Sequence, residues 1–333
     1  MGGPGERGDN TGVLHIFTIT FPFFALVLCG YLAARARLLP LDAITGLNGF
    51  VLFFALPCML YRFGANTPIG QLLDPWVAVT WLVCGLIMVA FTVATSLSAR
   101  IGWNDAAFGA LVATFPNSGF MGVPLLVALL GASAAGPTIL TMVIDMVVIT
   151  SLCIALSRLD GADAHGVAKA LKSALKGVLT NPMPWSILLG ALVSVLGWSL
   201  PGPVMQGVDM LADAASPVAL FTIGAVLARS QMLAAAGHVR APLLRDYLPV
   251  ALSKLLLHPL LVLGLGSLLR ALGVPLAPDA LTVLVLVAAL PSASNVSLLA
   301  ERFGADNGRV ARIILVSTAA AFVTFSLAVA WLQ

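Results

Sequence analysis

Two short polar clusters interrupt long apolar stretches of the sequence, and a proline stands near the start of each cluster. The first reads TFPNSGFMGVP over residues 114–124, and the second reads LPSASNVSLLAERFG over residues 290–304. A proline removes a backbone donor and ends the helix before it, so a new helix can begin with free N–H groups at each cluster. Those N–H groups and the positive end of the helix dipole suit an anion such as a carboxylate. The two clusters therefore predict an anion-binding site.

The small polar residues of the clusters provide the other groups that such a site needs. Asparagine supplies both donors and acceptors, serine supplies a hydroxyl, and glycine allows a close backbone approach. Asn117 or Ser118 can also cap the helix that follows the first proline. We expect the substrate-binding residues to be Asn117, Ser118, Gly119, Ser292, Ser294 and Asn295, with Pro116 and Pro291 marking the interruptions.

Three ionisable residues, Asp145, Lys254 and His258, lie deeper in apolar segments than loop residues do. Charged groups are costly inside a membrane and usually face the protein interior, so each is a candidate for a functional role. Lys254 could attract an anion or pair with Asp145, and it also lies close enough to the end of its span to extend its ammonium to water. Asp209 and Asp213 are expected to cap the start of a helix.

The elements that position these residues are membrane-spanning helices. Of the 333 residues, 60% are hydrophobic and 9% are charged, whereas soluble domains have about 25% charged residues. Apolar runs of about 20 residues, long enough to cross a bilayer, occur near 13–34, 43–63, 76–99, 105–130, 137–157, 181–200, 207–228, 246–269, 279–300 and 309–332. We therefore predict an all-α integral membrane protein with ten transmembrane helices.

The ten spans divide into two repeats, residues 1–157 and 181–333, on either side of a linker, residues 158–180. Each repeat has five spans, an odd number, so the two repeats enter the membrane from opposite sides and are inverted, as in many secondary transporters. The linker has apolar residues at helical spacing with lysines on its other faces, which predicts a basic amphipathic helix on the inner leaflet.

The fourth and ninth spans have matching interruptions. Pro116 follows Asp105 by eleven residues, and Pro291 follows Asp279 by twelve. Such lengths cover about 17–18 Å of helix, roughly half of a 30 Å hydrocarbon core. Broken helices survive in lipid only where they face protein or a wet cavity. We therefore expect helices 4 and 9 to cross near the middle of the bilayer and to line one central site.

The distribution of basic residues predicts the orientation. With both termini outside, thirteen lysines and arginines fall in cytoplasmic loops or at their edges and three fall outside, as the positive-inside rule requires. The cytoplasmic set is Arg35, Arg37, Arg100, Arg158, Lys169, Lys172, Lys176, Arg229, Arg240, Arg245, Arg302, Arg309 and Arg312. We predict a multi-pass membrane protein with the loop between helices 5 and 6 in the cytoplasm.

Other classes of function have little support in the sequence. No HExxH, GxSxG or P-loop pattern occurs, so we do not expect an enzyme. The four cysteines lie singly in apolar spans, without metal-ligand spacing. We expect no metal, no cofactor and no nucleic-acid partner. A channel or a receptor would use the same spans, but paired interruptions at one depth favour a carrier that occludes its substrate.

Four segments resemble the auxin efflux carrier family: LNGFVLFFALPCML (47–60), FPNSGFMGVPLL (115–126), KLLLHPLL (254–261) and ALPSASNVSLLAERFGAD (289–306). The resemblance extends over all ten spans, and the short central linker makes the chain more similar to bacterial malonate and malate permeases than to plant auxin exporters. The family's crossover asparagines correspond to Asn117 and Asn295.

The resemblance implies a fold like those of sodium/bile-acid symporters and sodium/proton antiporters. A scaffold of helices 1, 2, 6 and 7 would move against a transport domain of helices 3–5 and 8–10, and plant members imply a homodimer. Sodium-coupled relatives use carboxylates near the crossing, whereas neither interruption here contains one. Uniport and coupling to a proton, through Asp145 or His258, both stay open.

Two functions follow from these features. The first is a secondary carrier of small organic anions, with malonate or a related dicarboxylate as the leading candidate, working by elevator-type displacement of the transport domain. The alternative is an exporter of hydrophobic weak acids, such as auxin-like carboxylates. The direction of transport is not set by the sequence, because net flux through a carrier follows the gradients.

Overall fold

The computed structural model describes residues 7–66, 74–159, 182–235 and 243–332. The helices in these ranges are α1 (Arg7–Arg35), α2 (Ala43–Asn66), α3 (Pro75–Ser96), α4 (Trp103–Thr114), α5 (Ser118–Leu130), α6 (Ala132–Leu156), α7 (Pro182–Leu196), α8 (Gly202–Ala235), α9 (Leu244–Ala271), α10 (Pro278–Ala289), α11 (Asn295–Arg302) and α12 (Asn307–Leu332). One isolated antiparallel bridge, Pro116 with Ser292, is the other regular backbone pairing in the described residues.

Six of the described helices are long and apolar enough to cross a membrane, namely α2, α3, α6, α8, α9 and α12. Shorter apolar helices lie at Phe21–Arg35, Ser118–Leu130, Trp185–Leu196 and Pro278–Ala289. The prediction of an all-α, multi-pass membrane protein is confirmed. The arrangement as ten helices in two inverted repeats stays a prediction. The predicted linker helix falls almost wholly outside the described residues.

Prolines shape the middle of several helices. Single π-helical turns at Val51–Ala55, Ser118–Gly122 and Ser253–Leu257 each end two residues before a proline. A proline has no N–H and its ring clashes with the carbonyl four residues earlier, so the wider turn moves that carbonyl away. A fourth π-helical turn, Asp145–Ile149, has no proline within it or just after it and begins at the buried Asp145.

Glycines allow two pairs of helices to pack backbone against backbone. A Cβ added at Gly30 of α1 would lie 1.8 Å from the carbonyl oxygen of Phe221 in α8, and one added at Gly224 of α8 would lie 1.8 Å from that of Val27 in α1. Gly64 of α2 and Gly190 of α7 make the same reciprocal approach. Small residues drive helix association in membranes because they permit such contact. The contacts join α1 to α8 and α2 to α7.

One sequence expectation about charged residues needs correction, and one charged residue has partners that the sequence did not indicate. Asp209 and Asp213 do not cap a helix, because α8 begins at Gly202; instead both accept from Arg62 of α2, at 3.4 Å and 2.7 Å. Arg309, the first residue of the tenth predicted span, is buried and 2% exposed. Its guanidinium donates to the carbonyl oxygens of Asp246 and Asp105, each at 2.7 Å, and so ties the starts of α9 and α4 to α12.

Candidate functional site

The two interrupted segments are hydrogen-bonded to each other through their main chains. The backbone N–H of Asn117 donates to the carbonyl oxygen of Pro291 at 2.8 Å, and that of Ala293 donates to the carbonyl oxygen of Phe115 at 3.0 Å. α4 ends at Thr114 and α10 ends at Ala289, so these groups have left their helices. Buried backbone groups need partners, and each interruption supplies them to the other.

The first interruption turns back into a helix within three residues. The carbonyl oxygen of Asn117 accepts from the N–H groups of Met121 and Gly122, at 3.2 Å and 2.9 Å. The side chain of Asn117 makes no capping hydrogen bond, and the hydroxyl of Ser118 lies 3.4 Å from the carbonyl oxygen of Pro116. The expected side-chain cap is therefore absent here, which leaves the Asn117 amide available to another partner.

The second interruption is supported by a residue that sequence reasoning missed. The N–H of Ser292 donates to the hydroxyl oxygen of Ser317 in α12, at 3.2 Å. Within the described residues, two buried oxygens of this segment have no hydrogen-bond partner: the Ser292 Oγ and the Asn295 Oδ1. Buried polar atoms are rarely left unpaired. A lone serine in α12 carries no sequence signal that would have singled it out.

A small cavity lies where the two segments meet. Its volume is about 20 Å³, room for roughly one water molecule. Asn117, Ser118, Gly119 and Asn295 line it, so four of the six expected binding residues come together. The other walls are Ala293, Pro116 and the apolar side chains of Leu56, Phe115, Phe120, Met142 and Met146.

The remaining expected residues lie beside this cavity. Ser294 lines a neighbouring cavity of about 10 Å³ together with Ser297, Asn48 of α2 and Thr222 of α8, and Phe120 lies between the two cavities. Ser292 lines neither cavity and is fully buried. The structure thus separates the expected set into an amide-lined part and a hydroxyl-lined part.

A wide cavity leads from the hydroxyl-lined part to one end of the helices. Its volume is about 720 Å³, and it lies between α8 and the α11–α12 region. Ser297 borders both cavities, and Arg229, Arg312, Glu301 and Asp306 lie along the wide one. Charges of both signs line this route, so it is polar without being strongly basic.

The three candidate ionisable residues form one buried cluster with Trp81 of α3. The Lys254 Nζ donates to the carbonyl oxygen of Ala288 at 2.7 Å and lies 3.2 Å from the His258 Nδ1. The Trp81 Nε1 donates to the Asp145 Oδ1 at 2.9 Å, and the Trp81 and His258 rings are 5.1 Å apart. The Asp145 Oδ2 and the His258 Nε2 have no hydrogen-bond partner in the described residues.

The contacts of Lys254 within this cluster test the expectations for its ammonium, namely extension to water or pairing with Asp145. Its side chain is 0% exposed, so its ammonium does not extend to water. Among the described residues it also makes no direct ion pair with Asp145; Trp81 donates to Asp145 and packs against His258, which in turn contacts Lys254. The ammonium contacts the carbonyl of Ala288 in the last turn of α10, the negative end of that helix dipole. Lys254 therefore stabilises the helix end just before the second interruption.

Known membrane transporters are similar to this chain over most of its length. The family model described as "Membrane transport protein" matches residues 15–329. A protein of Rhizobium meliloti (strain 1021) named "Putative malonate transporter" is 28% identical over 301 residues, which cover 90% of each chain. "Auxin efflux carrier component 8" of Arabidopsis thaliana is 22% identical over 333 residues, which cover 84% of this chain and 87% of the relative. An "Uncharacterized transporter" of Methanothermobacter thermautotrophicus is 26% identical over 308 residues, 91% of this chain and 93% of the relative.

Proposed function

The chain belongs to the auxin efflux carrier family of membrane transporters, and on that premise we propose that it is a secondary carrier of small organic anions, with malonate or a related dicarboxylate as its substrate. Family members are transporters, so the expectation that the protein is not an enzyme is confirmed. The relative named for malonate transport supports this substrate class.

The observation that carries the proposal is the cavity where the interrupted segments meet. α5 begins at Ser118 and α11 begins at Asn295, so two helix N-termini start at this place. The positive ends of two helix dipoles favour an anion there. The amides of Asn117 and Asn295 can donate to a carboxylate without a dedicated arginine. Two more of the expected residues, Ser118 and Gly119, line the same cavity.

A dicarboxylate suits the division of the site into two parts. One carboxylate would bind between the Asn117 and Asn295 amides, and the other would reach the hydroxyls of Ser294 and Ser297 past the Phe120 ring. Both cavities are smaller than such a molecule, so we propose that the site closes in this conformation and opens when substrate enters. The wide cavity bordered by Ser297 is the proposed route of entry.

We propose the inverted-repeat architecture as the basis of alternating access. The tightly packed helices α1, α2, α7 and α8 would form the scaffold, and the other helices would form a transport domain that carries the site across the membrane. Arg309 supports this division, because it ties together the starts of α4, α9 and α12 within the proposed transport domain. Following the basic-residue distribution, both termini would lie outside a bacterial inner membrane, and two copies would associate through their scaffolds.

The buried cluster is the proposed place for charge balance or proton coupling. Asp145, Lys254 and His258 are the titratable side chains in it, and Trp81 packs against them. Lys254 bonds to the helix that leads into the second interruption, so a change in the charge of the cluster would be felt at the substrate site.

The alternative substrate, a hydrophobic weak acid, is favoured by one specific observation. Five apolar side chains surround the Asn117–Asn295 cavity: Leu56, Phe115, Phe120, Met142 and Met146. An aromatic monocarboxylate could place its carboxylate on the asparagines and its ring among these residues. The plant relative named as an auxin efflux carrier supports the same idea.

Counterflow in proteoliposomes tests the site and separates the two substrates. Purified protein would exchange labelled malonate or labelled indole acetate, and the better-exchanged compound identifies the class. Asn295→Ala removes a hydrogen bond to a charged group, worth about 1.5–3 kcal/mol, so its KM should rise by about tenfold or more. Asn295→Asp keeps the shape but adds repulsion, and should abolish exchange. Asn117→Ala should act like Asn295→Ala.

Asn66→Ala is the matched control, because Asn66 is an exposed asparagine at the end of α2, away from both cavities. It should exchange substrate at the wild-type rate. If Asn117→Ala and Asn295→Ala both left the exchange of every tested carboxylate unchanged, the assignment of the site would be wrong.

A further inference from the structure

A second cavity with a different chemistry lies at one end of α3 and α9, outside the site described above. Its volume is about 400 Å³, and it lies between the last turns of α3, the loop that follows, and the first turns of α9. Three arginines and one aspartate line it: Arg100, Arg245, Arg309 and Asp246. The cavity is therefore basic, unlike the mixed route that leads to Ser297.

The arginines differ in how fully their donors are used. Arg309 donates to two carbonyls and, through Nη2, to the Ser96 hydroxyl at 3.2 Å, so three of its contacts are fixed within the protein. Arg100 pairs with Asp246. Arg245 is exposed and has no hydrogen-bond or ion-pair partner among the described residues. Its guanidinium is free to bind an anion in the cavity.

Hydroxyl groups complete the lining. Thr92 is 1% exposed, and its Oγ1 has no hydrogen-bond partner in the described residues, although it lies on the wall of the cavity. Thr95, Ser96, Ser98 and Ser253 line it as well. The Thr95 and Ser253 hydroxyls donate to backbone carbonyls of their own helices, whereas the Ser96 and Ser98 hydroxyls accept from Arg309 and from the Ile101 N–H. Arginine and hydroxyl donors together are the groups that bind phosphate oxygens. An unpaired buried hydroxyl, Thr92, and an unpaired arginine, Arg245, thus line the same cavity in the described residues.

The position of the cavity indicates where the phosphate comes from. α3 ends at Ser96 and the span of α9 begins at Leu244, so the cavity lies at a membrane–water boundary. An exposed apolar side chain, Phe91 (41% exposed), lines the cavity, and Leu244 (59% exposed) directly precedes Arg245 in the chain. Basic pockets between helix ends are typical sites for anionic lipid headgroups. We propose that this cavity binds a phosphate group, carried by the headgroup of an anionic phospholipid.

The proposal is tested by thermal unfolding of the purified protein in detergent. Three additions would be titrated into the detergent solution separately: phosphatidylglycerol, phosphatidylcholine and inorganic phosphate. Phosphatidylglycerol should raise the unfolding temperature of the wild type, and phosphatidylcholine should not. Arg245→Gln should weaken this binding about fivefold, the effect of one arginine at a lipid surface. Thr92→Val, which keeps the shape and removes the hydroxyl, should weaken it about tenfold.

Arg35→Gln is the control, since it removes one exposed arginine from the end of α1, outside the cavity. It should bind phosphatidylglycerol as the wild type does. If inorganic phosphate raised the unfolding temperature of the wild type but not of Arg245→Gln, and phosphatidylglycerol raised neither, the phosphate site would be supported and a lipid source for the phosphate would be overturned. A wild type indifferent to both, or equal losses in Arg35→Gln and Arg245→Gln, would overturn the site itself.

Discussion

Replacing Gly224 with alanine should separate α1 from α8 and destabilise the protein. The new Cβ would lie 1.8 Å from the Val27 carbonyl oxygen and 2.7 Å from the Tyr31 nitrogen. Real Cβ atoms essentially never approach other atoms within 3.0 Å, so the helices would have to move apart by about 1.2 Å. The obstructing atoms belong to the backbone, so rotation of a side chain cannot relieve the contact.

The magnitude follows from two opposing effects. Overpacking a buried contact costs about 1–3 kcal/mol, while alanine in a helix interior gains about 0.5–1 kcal/mol over glycine. We expect a net loss of about 2 kcal/mol, because rigid backbone atoms place the cost near the upper limit. Gly207 lies on the same helix with no atom within 4 Å of an added Cβ. Gly207→Ala should therefore be stabilising by about 0.5–1 kcal/mol.

The assay is thermal unfolding of the two variants and the wild type in one detergent, followed by intrinsic fluorescence at one scan rate. The expected order of unfolding temperatures is Gly207→Ala, wild type, Gly224→Ala. Gly30→Ala, which makes the reciprocal contact, should behave like Gly224→Ala. A Gly224→Ala protein as stable as Gly207→Ala would refute the claim that the two helices meet backbone to backbone.

Two further predictions concern the buried cluster. Trp81→Phe removes the donor to the Asp145 Oδ1 and should lower stability by about 1–3 kcal/mol in the same unfolding assay. Trp76→Phe changes an exposed tryptophan of the same helix and should leave stability unchanged. An equal loss in both variants would contradict the role given to Trp81. Asp145→Asn and Lys254→Met, measured singly and together, should show a coupling energy of about 0.5–3 kcal/mol. Strictly additive effects on stability would mean that the two charges do not influence each other.

The interruptions could be predicted from sequence because proline and glycine act locally. Pro116 and Pro291 remove donors whatever surrounds them, so the ends of α4 and α10 follow from the residue types alone. The contact between the segments was expected from their equal depth in the membrane. Its hydrogen bonds involve the main chain of Phe115 and Ala293, positions at which the side-chain type gives no signal.

Charged and polar partners were harder to predict, because they come from distant parts of the chain. Arg309 was counted only as a basic residue at a cytoplasmic loop or its edge, yet it is buried and bonded to carbonyls of two other helices. Arg62 pairs with Asp209 and Asp213, which lie 147 and 151 residues later in the sequence. A sequence pattern shows that a buried charge needs a partner, but only the folded arrangement determines which group provides it.

The bonds that join the two interruptions run from main chain to main chain, which affects how such carriers can evolve. The side chains of Asn117 and Ala293 can change without deleting the N–H that each contributes. Selection can therefore exchange side chains of the proposed site while the hydrogen-bonded main chain around them persists. Homologues as divergent as those of bacteria and plants could in this way share one frame and differ in the molecules they recognise.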